Sequence, residues 1–324
     1  MSDLIVKAID KASRELLTEP PRGHLGASQI GGRCARQAWY AFRWCYEENA
    51  TGRMRRLWNR GHEEEDRLIR WLRATGYEVR DYAERLMYHG GSDSYVAIPW
   101  DEDEAHDQTW AECDDVSEDK WHIERAKRLD KALPKDQRLV KQWGFKDHEG
   151  HYAGSSDGKI RGPHLPEGWG GCEFKTHKDS SFKDLTKKGV LTSKPVHWVQ
   201  MQVYMGYLGL TWCLYLAVNK DDDSLYAEVV HFRPEIFQAY KDTAAKIIAA
   251  QQAPKRLSED PSWFECKWCA FREICHKGEA PEKNCRSCTF AQPGPDASWT
   301  CGAYRMTIPK DFIPKGCDRW QGVR

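Results

Sequence analysis

Residues 151–176 constrain the fold of this chain more than any other stretch. Residues 151–161 (HYAGSSDGKIR) and 170–176 (GGCEFKT) have the residue types of strands, and the turn-rich GPHLPEGWGG joins them. Side chains two apart on a strand share a face, so Glu173 and Lys175 project together while Cys172 and Phe174 point the other way, into a core. If the two strands pair, Asp157 lies beside Glu173. Two carboxylates and one ammonium then meet at one edge of a sheet. Close carboxylates repel unless a proton or cation intervenes, and a divalent ion meets that need with hard oxygen ligands. Such a centre suits phosphodiester hydrolysis, in which a metal neutralises the phosphate, lowers the pKa of a bound water and stabilises the leaving oxygen.

The rest of the chain supplies layers for such a sheet. Helices are expected over 2–18, after Gly31 and Gly32, over 55–75, 195–209 and 234–252; strands are expected around 77–88, at 212–219 and at 224–232. In the 55–75 helix Leu57, Leu68, Ile69 and Leu72 are the candidate apolar contacts. Residues 89–120 are rich in Gly, Asp and Glu, with too few apolar residues for a core, and read as an insertion or mobile loop. The fold class expected is α/β, a central mixed sheet flanked by helices over residues 1–278, with a Cys-rich appendage at 279–324.

The formal net charge is zero, so only local clusters can meet a polyanion. Residues 101–119 hold ten acidic side chains and no Lys or Arg, and 120–141 then hold eight basic ones. Two further basic clusters, Arg53, Arg55, Arg56 and Arg60, and Lys175, Lys178, Lys183, Lys187 and Lys188, flank the candidate centre. Fifteen Trp and thirteen Tyr are high for this length; aromatics serve cores and also stack on unpaired bases. No apolar run approaches a membrane span, and the N-terminus lacks the features of a secretory signal, so a cytoplasmic protein is expected, in a bacterial or phage-infected cell.

Three further fragments stand in order around Asp157 and Glu173-Phe174-Lys175. RGHEEED (60–66) puts His62, Glu65 and Asp66 on one helix, and Gln200-Met-Gln-Val-Tyr204 puts Gln200 and Tyr204 on one helical face. With these the chain resembles the PD-(D/E)XK nuclease superfamily, in its RecB-type and phage exonuclease branch, over most of residues 25–278. The resemblance implies that Asp157, Glu173 and the Phe174 carbonyl bind Mg²⁺ or Mn²⁺ and that Lys175 positions the attacking water. It further implies that Glu65 or His62 completes the metal shell or a proton relay, and that Gln200 and Tyr204 hold the phosphate and the site side chains. It points to an exonuclease that processes DNA ends, single- or double-stranded, in phage recombination or repair, with a recombination or single-strand-binding protein as a possible partner. A structure-selective or nicking endonuclease, a non-catalytic DNA-end-binding subunit and an enzyme acting on RNA are the alternatives.

Twelve cysteines in a cytosolic chain suggest metal before disulfides. Cys266, Cys269 and Cys275, in C-x₂-C-x₅-C, leave a tetrahedral site one ligand short. Similarity to the iron–sulfur nucleases of the CRISPR-adaptation and AddB type implies that Cys34 is the fourth thiolate of a 4Fe–4S cluster stapling the N-terminal helix to the end of the core. Zn²⁺ on the same thiolates, or with His276 in place of Cys34, is the competitor. In the tail, Cys285, Cys288, Cys301 and Cys317 suggest a structural Zn²⁺ knuckle. Cys45, Cys113, Cys172 and Cys213 stand apart and are expected to be small buried hydrophobes.

Overall fold

The computed structural model describes residues 2–16, 21–46, 50–89, 94–100, 110–112 and 141–324. In chain order the helices are α1 (Ser2–Leu16), α2 (Ala27–Ile30), α3 (Ala35–Phe42), α4 (Gly52–Ala74), α5 (Asp179–Ser193), α6 (Pro195–Leu208), α7 (Pro234–Ala249) and α8 (Phe264–Lys267). The strands are β1 (Leu25–Gly26), β2 (Glu78–Arg80), β3 (Glu84–His89), β4 (Ser94–Pro99), β5 (Trp110–Glu112), β6 (Gly144–Asp147), β7 (Tyr152–Ser155), β8 (Gly158–Arg161), β9 (Gly170–His177), β10 (Trp212–Asn219), β11 (Leu225–His231), β12 (Ala291–Pro293), β13 (Trp299–Cys301) and β14 (Met306–Thr307).

The central sheet has the order β11-β10-β9-β8-β2. It is mixed: β9 and β10 are parallel, and the other neighbours antiparallel. Helices flank it, giving the expected α/β class. Strand β10 is buried along its whole length, as its near-continuous apolar sequence requires of a strand covered on both faces. One face packs on α4: Leu68 and Ile69 meet Val79, Ile160, Cys172, Phe174, Leu214, Leu216 and Val218. Thr51 starts α4, its Oγ1 accepting from Met54 N at 3.2 Å. Leu72 packs against this layer, whereas Leu57 is 38% exposed and does not join it. The other face, with Cys213, Tyr215 and Ala217, packs on α3, α5, α6 and α7.

Several boundaries differ from expectation. The run 151–161 is two strands in different sheets, because the chain breaks at Ser156 and Asp157; β7 joins β1 and β6, while β8 joins the central sheet. Gly158 makes that break possible: its φ is +153°, and a Cβ there would stand 2.9 Å from the Arg80 carbonyl. Helix α5 was not legible in a segment dominated by Lys, Ser and Thr. Within 89–120, residues 94–99 and 110–112 are strands of a sheet ordered β4-β3-β5, not loop. The rest of the acidic run, and the basic run up to residue 140, lie outside the described residues.

The Cys-rich tail forms the small sheet β12-β13-β14 and shares the main core, with Ala291, Trp299, Ile308, Ile313 and Val323 packed alongside Leu25, Trp39 and Phe42. Two buried arginines tie it down. Arg43 donates to the carbonyls of Arg286, Cys288 and Ala291 at 3.1–3.2 Å. Arg286 donates to the carbonyls of Gly23 and Phe42. Burial lowers Arg43 to about 10 and Arg286 to about 9. Among the described residues, no helix is long and apolar enough to cross a membrane.

Candidate active site and thiol clusters

The antiparallel register pairs Gly158 with Cys172, so the next pair outward sets Asp157 opposite Glu173. Asp157 Oδ2 accepts from Phe174 N at 2.8 Å, which fixes its carboxylate at the start of β8. Cys172 and Phe174 are buried against α4, as the alternation predicts. Glu173 is fully buried on the opposite face. Its Oε1 is in ion-pair contact with Lys175 Nζ, and its Oε2 has no hydrogen-bond partner. Lys175 Nζ also donates to the Phe174 carbonyl at 3.2 Å.

Burial pushes the Glu173 carboxyl up; Lys175 opposes that shift, and the charges of Asp157 and Glu65 add to it. Burial alone would lower Lys175, but Glu173 and Asp157 overcome it and hold the ammonium protonated. Glu65, on α4, is raised by burial; the His62 ring opposes the shift and Asp157 adds to it. Glu65 is therefore close enough to feel the carboxylates on the sheet. His62 is 73% exposed, with its Nδ1 4.0 Å from Glu65 Oε2, at the rim.

Helix α6 covers this face with Gln200 and Tyr204, both buried, Gln200 Nε2 donating to Tyr204 Oη at 3.4 Å. Burial, then Glu173 and Asp157, push the Tyr204 hydroxyl up, so it stays protonated. Gly154 lets the ring approach: a Cβ there would sit 2.8 Å from Tyr204 Cε1 and from Ala27 Cβ.

A second buried set was not expected. Tyr215 Oη lies 2.9 Å from both His177 Nε2 and His197 Nδ1. Tyr215 pairs with Glu173 across β9 and β10, and His177 stands two residues beyond Lys175 on the same face. Burial, followed by nearby lysines that include Lys175, lowers His177 to about 4 and His197 to about 3, so both rings are neutral. The signal available in sequence was His177 continuing the Glu173, Lys175 alternation; His197 and Tyr215 join it only through tertiary contact.

The first thiol set gathers around one opening. Cys34, at the N-cap of α3, lines a solvent-open pocket together with Cys266, Cys269, Cys275 and His276. Burial raises the Cys266 and Cys269 thiols, and Cys34 and Cys275 add to both shifts. His276 Nε2 is buried without a hydrogen-bond partner. In the tail, burial raises the Cys285 thiol, and Cys317, Cys288 and Cys301 add to the shift. Cys45, Cys172 and Cys213 are buried as expected, and Cys113 lies outside the described residues. Among the described residues, no three His, Cys, Asp or Glu side chains are drawn together as a closed metal shell would be. What the described residues offer a metal is an orphaned Glu173 carboxylate oxygen and an opening lined by four cysteines.

No family model matches the chain, and no curated protein does. Among solved structures, the chain is similar to SSO0001 at 14% identity and a TM-score of 0.38, over 84% of this chain and 96% of that one. It is also similar to the alkaline exonuclease LHK-Exo of Laribacter hongkongensis, at 16% identity and a TM-score of 0.36, over 71% of this chain and 88% of that one. The structure of LHK-Exo with dAMP matches at 13% identity and a TM-score of 0.37, over 70% and 87%.

Proposed function

We propose that this protein is a metal-dependent DNA nuclease acting on DNA ends, with Asp157, Glu173 and Lys175 at its centre. The observation that carries this reading is the fully buried Glu173, one oxygen against Lys175 and the other without a partner, facing Asp157 and Glu65. A fully buried acid with an oxygen left unpaired is costly even beside one lysine, so an arrangement of this kind supports use rather than packing.

Asp157, Glu173, Glu65 and the Phe174 carbonyl would hold Mg²⁺ or Mn²⁺. When bound, that ion neutralises the scissile phosphate and lowers the pKa of an attacking water. Asp157 is already oriented by the Phe174 amide. Lys175, held protonated, orients the water and stabilises charge on the phosphate. Gln200 and the protonated Tyr204 donate to phosphate oxygens from α6. His62 stands at the rim, where it tunes Glu65. Cys34, Cys266, Cys269 and Cys275 would carry a 4Fe–4S cluster joining the start of α3 to the segment after α7, with Zn²⁺ the competing occupant. Cys285, Cys288, Cys301 and Cys317 would hold Zn²⁺. Four thiolates on Zn²⁺ carry a net double negative charge, which suits the two buried guanidiniums of Arg43 and Arg286.

The test is digestion of end-labelled linear, nicked and closed circular DNA with Mg²⁺, and again with chelator. Loss of linear DNA alone is expected. Cutting of closed circles points to an endonuclease. Intact DNA in every lane, or cleavage that survives chelator, refutes the reading. Iron and zinc content of anaerobically purified protein tests the two thiol sites, and a colourless, iron-free protein refutes the cluster.

A further inference from the structure

Outside the carboxylate centre, three cations on one face of the central sheet lie over indole rings. The Arg80 guanidinium lies 4.4 Å from the ring centroids of both Trp100 and Trp169. Arg161 lies 4.7 Å from Trp169, and Lys159 Nζ lies 3.8 Å from Trp143. Two of the indoles are pinned by their N–H groups, Trp143 to the Arg80 carbonyl at 2.9 Å and Trp100 to the Tyr82 carbonyl at 3.0 Å.

The sheet register places this tract. Glu78 pairs with Arg161 and Arg80 with Lys159 across β2 and β8; Lys159 pairs with Gly171 across β8 and β9. Gly171, Glu173 and Lys175 alternate onto one face of β9, so Arg80, Lys159 and Arg161 share the face of the carboxylate centre. Val79 and Ile160 occupy the opposite, apolar face. Trp169 precedes Glu173 by four residues, or roughly 13 Å of strand.

We propose that this tract seats the single-stranded DNA segment adjoining the scissile bond; the proposal rests on the nuclease reading of the neighbouring centre. Arg80, Lys159 and Arg161 bring cations for phosphates; among the described residues, Arg80 and Arg161 share Glu78 at 3.0 and 2.6 Å. Arg161 and Glu78 are accessible, with side chains 51% and 40% exposed. The indoles decide the strandedness. A duplex stacks its bases on one another and offers a protein mainly phosphates, which cations alone would satisfy. Unpaired bases offer free π faces, and pinned indoles and planar guanidiniums are the surfaces on which they stack.

The experiment measures binding of a fluorescein-labelled oligothymidylate, and of a duplex of equal length, by anisotropy in chelator across a salt series. Trp169→Ala should weaken single-strand binding roughly ten-fold with little change for the duplex. Arg161→Ala should weaken it and flatten the single-strand salt slope by about 0.7. Glu78→Gln should tighten it by freeing both guanidiniums. Unchanged single-strand affinity in Arg161→Ala and Glu78→Gln overturns the proposal, as does equal weakening on duplex. These two variants alter exposed side chains, so they carry the test if Trp169→Ala fails to fold. Cleavage by the wild type with Mg²⁺ is scored separately. Cleavage combined with tract-independent binding sinks this proposal alone, and tract-dependent binding without cleavage sinks the nuclease reading alone.

Discussion

The two faces of β9 differ in what they bury. Cys172 and Phe174 lie in an apolar layer with Ile160, Leu68 and Ile69. One residue out of phase, Glu173, Lys175 and His177 lie among Tyr215, His197, Gln200 and Tyr204. The first layer gains free energy from area removed from water. The second spends it, since the Glu173 carboxylate is desolvated with one oxygen left without a hydrogen bond. Apolar packing and buried charge are thus separated by a single step of the strand's two-residue period.

That separation can be broken from either side. The largest effect belongs to the polar face: Asp157→Ala or Lys175→Ala should lower cleavage on the order of a thousand-fold, the thermal midpoint staying near the wild-type value in Asp157→Ala and falling in Lys175→Ala, which strips buried Glu173 of its cation. Full activity in either variant would remove these residues from the centre. On the apolar face, Ile160→Ala should cost about 2–4 kcal/mol in denaturant unfolding and leave the activity of the folded fraction largely intact. A stability loss below about 1 kcal/mol would show that this layer collapses around the gap. A smaller effect links the faces through α4: Thr51→Ala removes the cap and should cost about 1 kcal/mol. Its cleavage rate should fall only slightly, because Glu65 lies several turns beyond the cap.

A further effect lies away from both faces and sets a baseline for charge in this fold. Burial works against the Asp147 carboxylate, but the Tyr207 hydroxyl, Lys241 and the His148 amide overcome it and hold Asp147 down to about 2, from 3.8. A folded-state pKa below the unfolded one means that the stabilisation is present above about pH 4 and is lost as pH falls through about 2. The stability gap between wild type and Asp147→Asn should therefore be constant from neutral pH to about 5 and close below it. A gap that persists at acid pH would assign the loss to packing instead.

Much of the site was legible because it rests on local periods. Alternation set Glu173 and Lys175 on one side of β9 and Cys172 and Phe174 on the other. Helical spacing set Gln200 beside Tyr204, and the helix bearing Glu65 was recognisable from its charge and apolar pattern. Less was legible where the chain changes partner. The stretch from 151 to 161 reads as one strand, yet Ser156 and Asp157 hand it from one sheet to another. Helix α5 lacks a clear apolar stripe, and its buried Phe182, Leu185 and Val190 have meaning only against the sheet.

The amino-acid sequence by itself determined which side chains share a face and which cysteines are grouped, because both depend on spacings within one element or one short loop. Only the tertiary structure decided that Asp157 meets Glu173 across an antiparallel pair. It also set Tyr215 beside Glu173 through a parallel pair, and Cys34 beside thiols more than two hundred residues away. Those meetings are settled by sheet register and by burial of the whole apolar surface at once, and no local window contains that information.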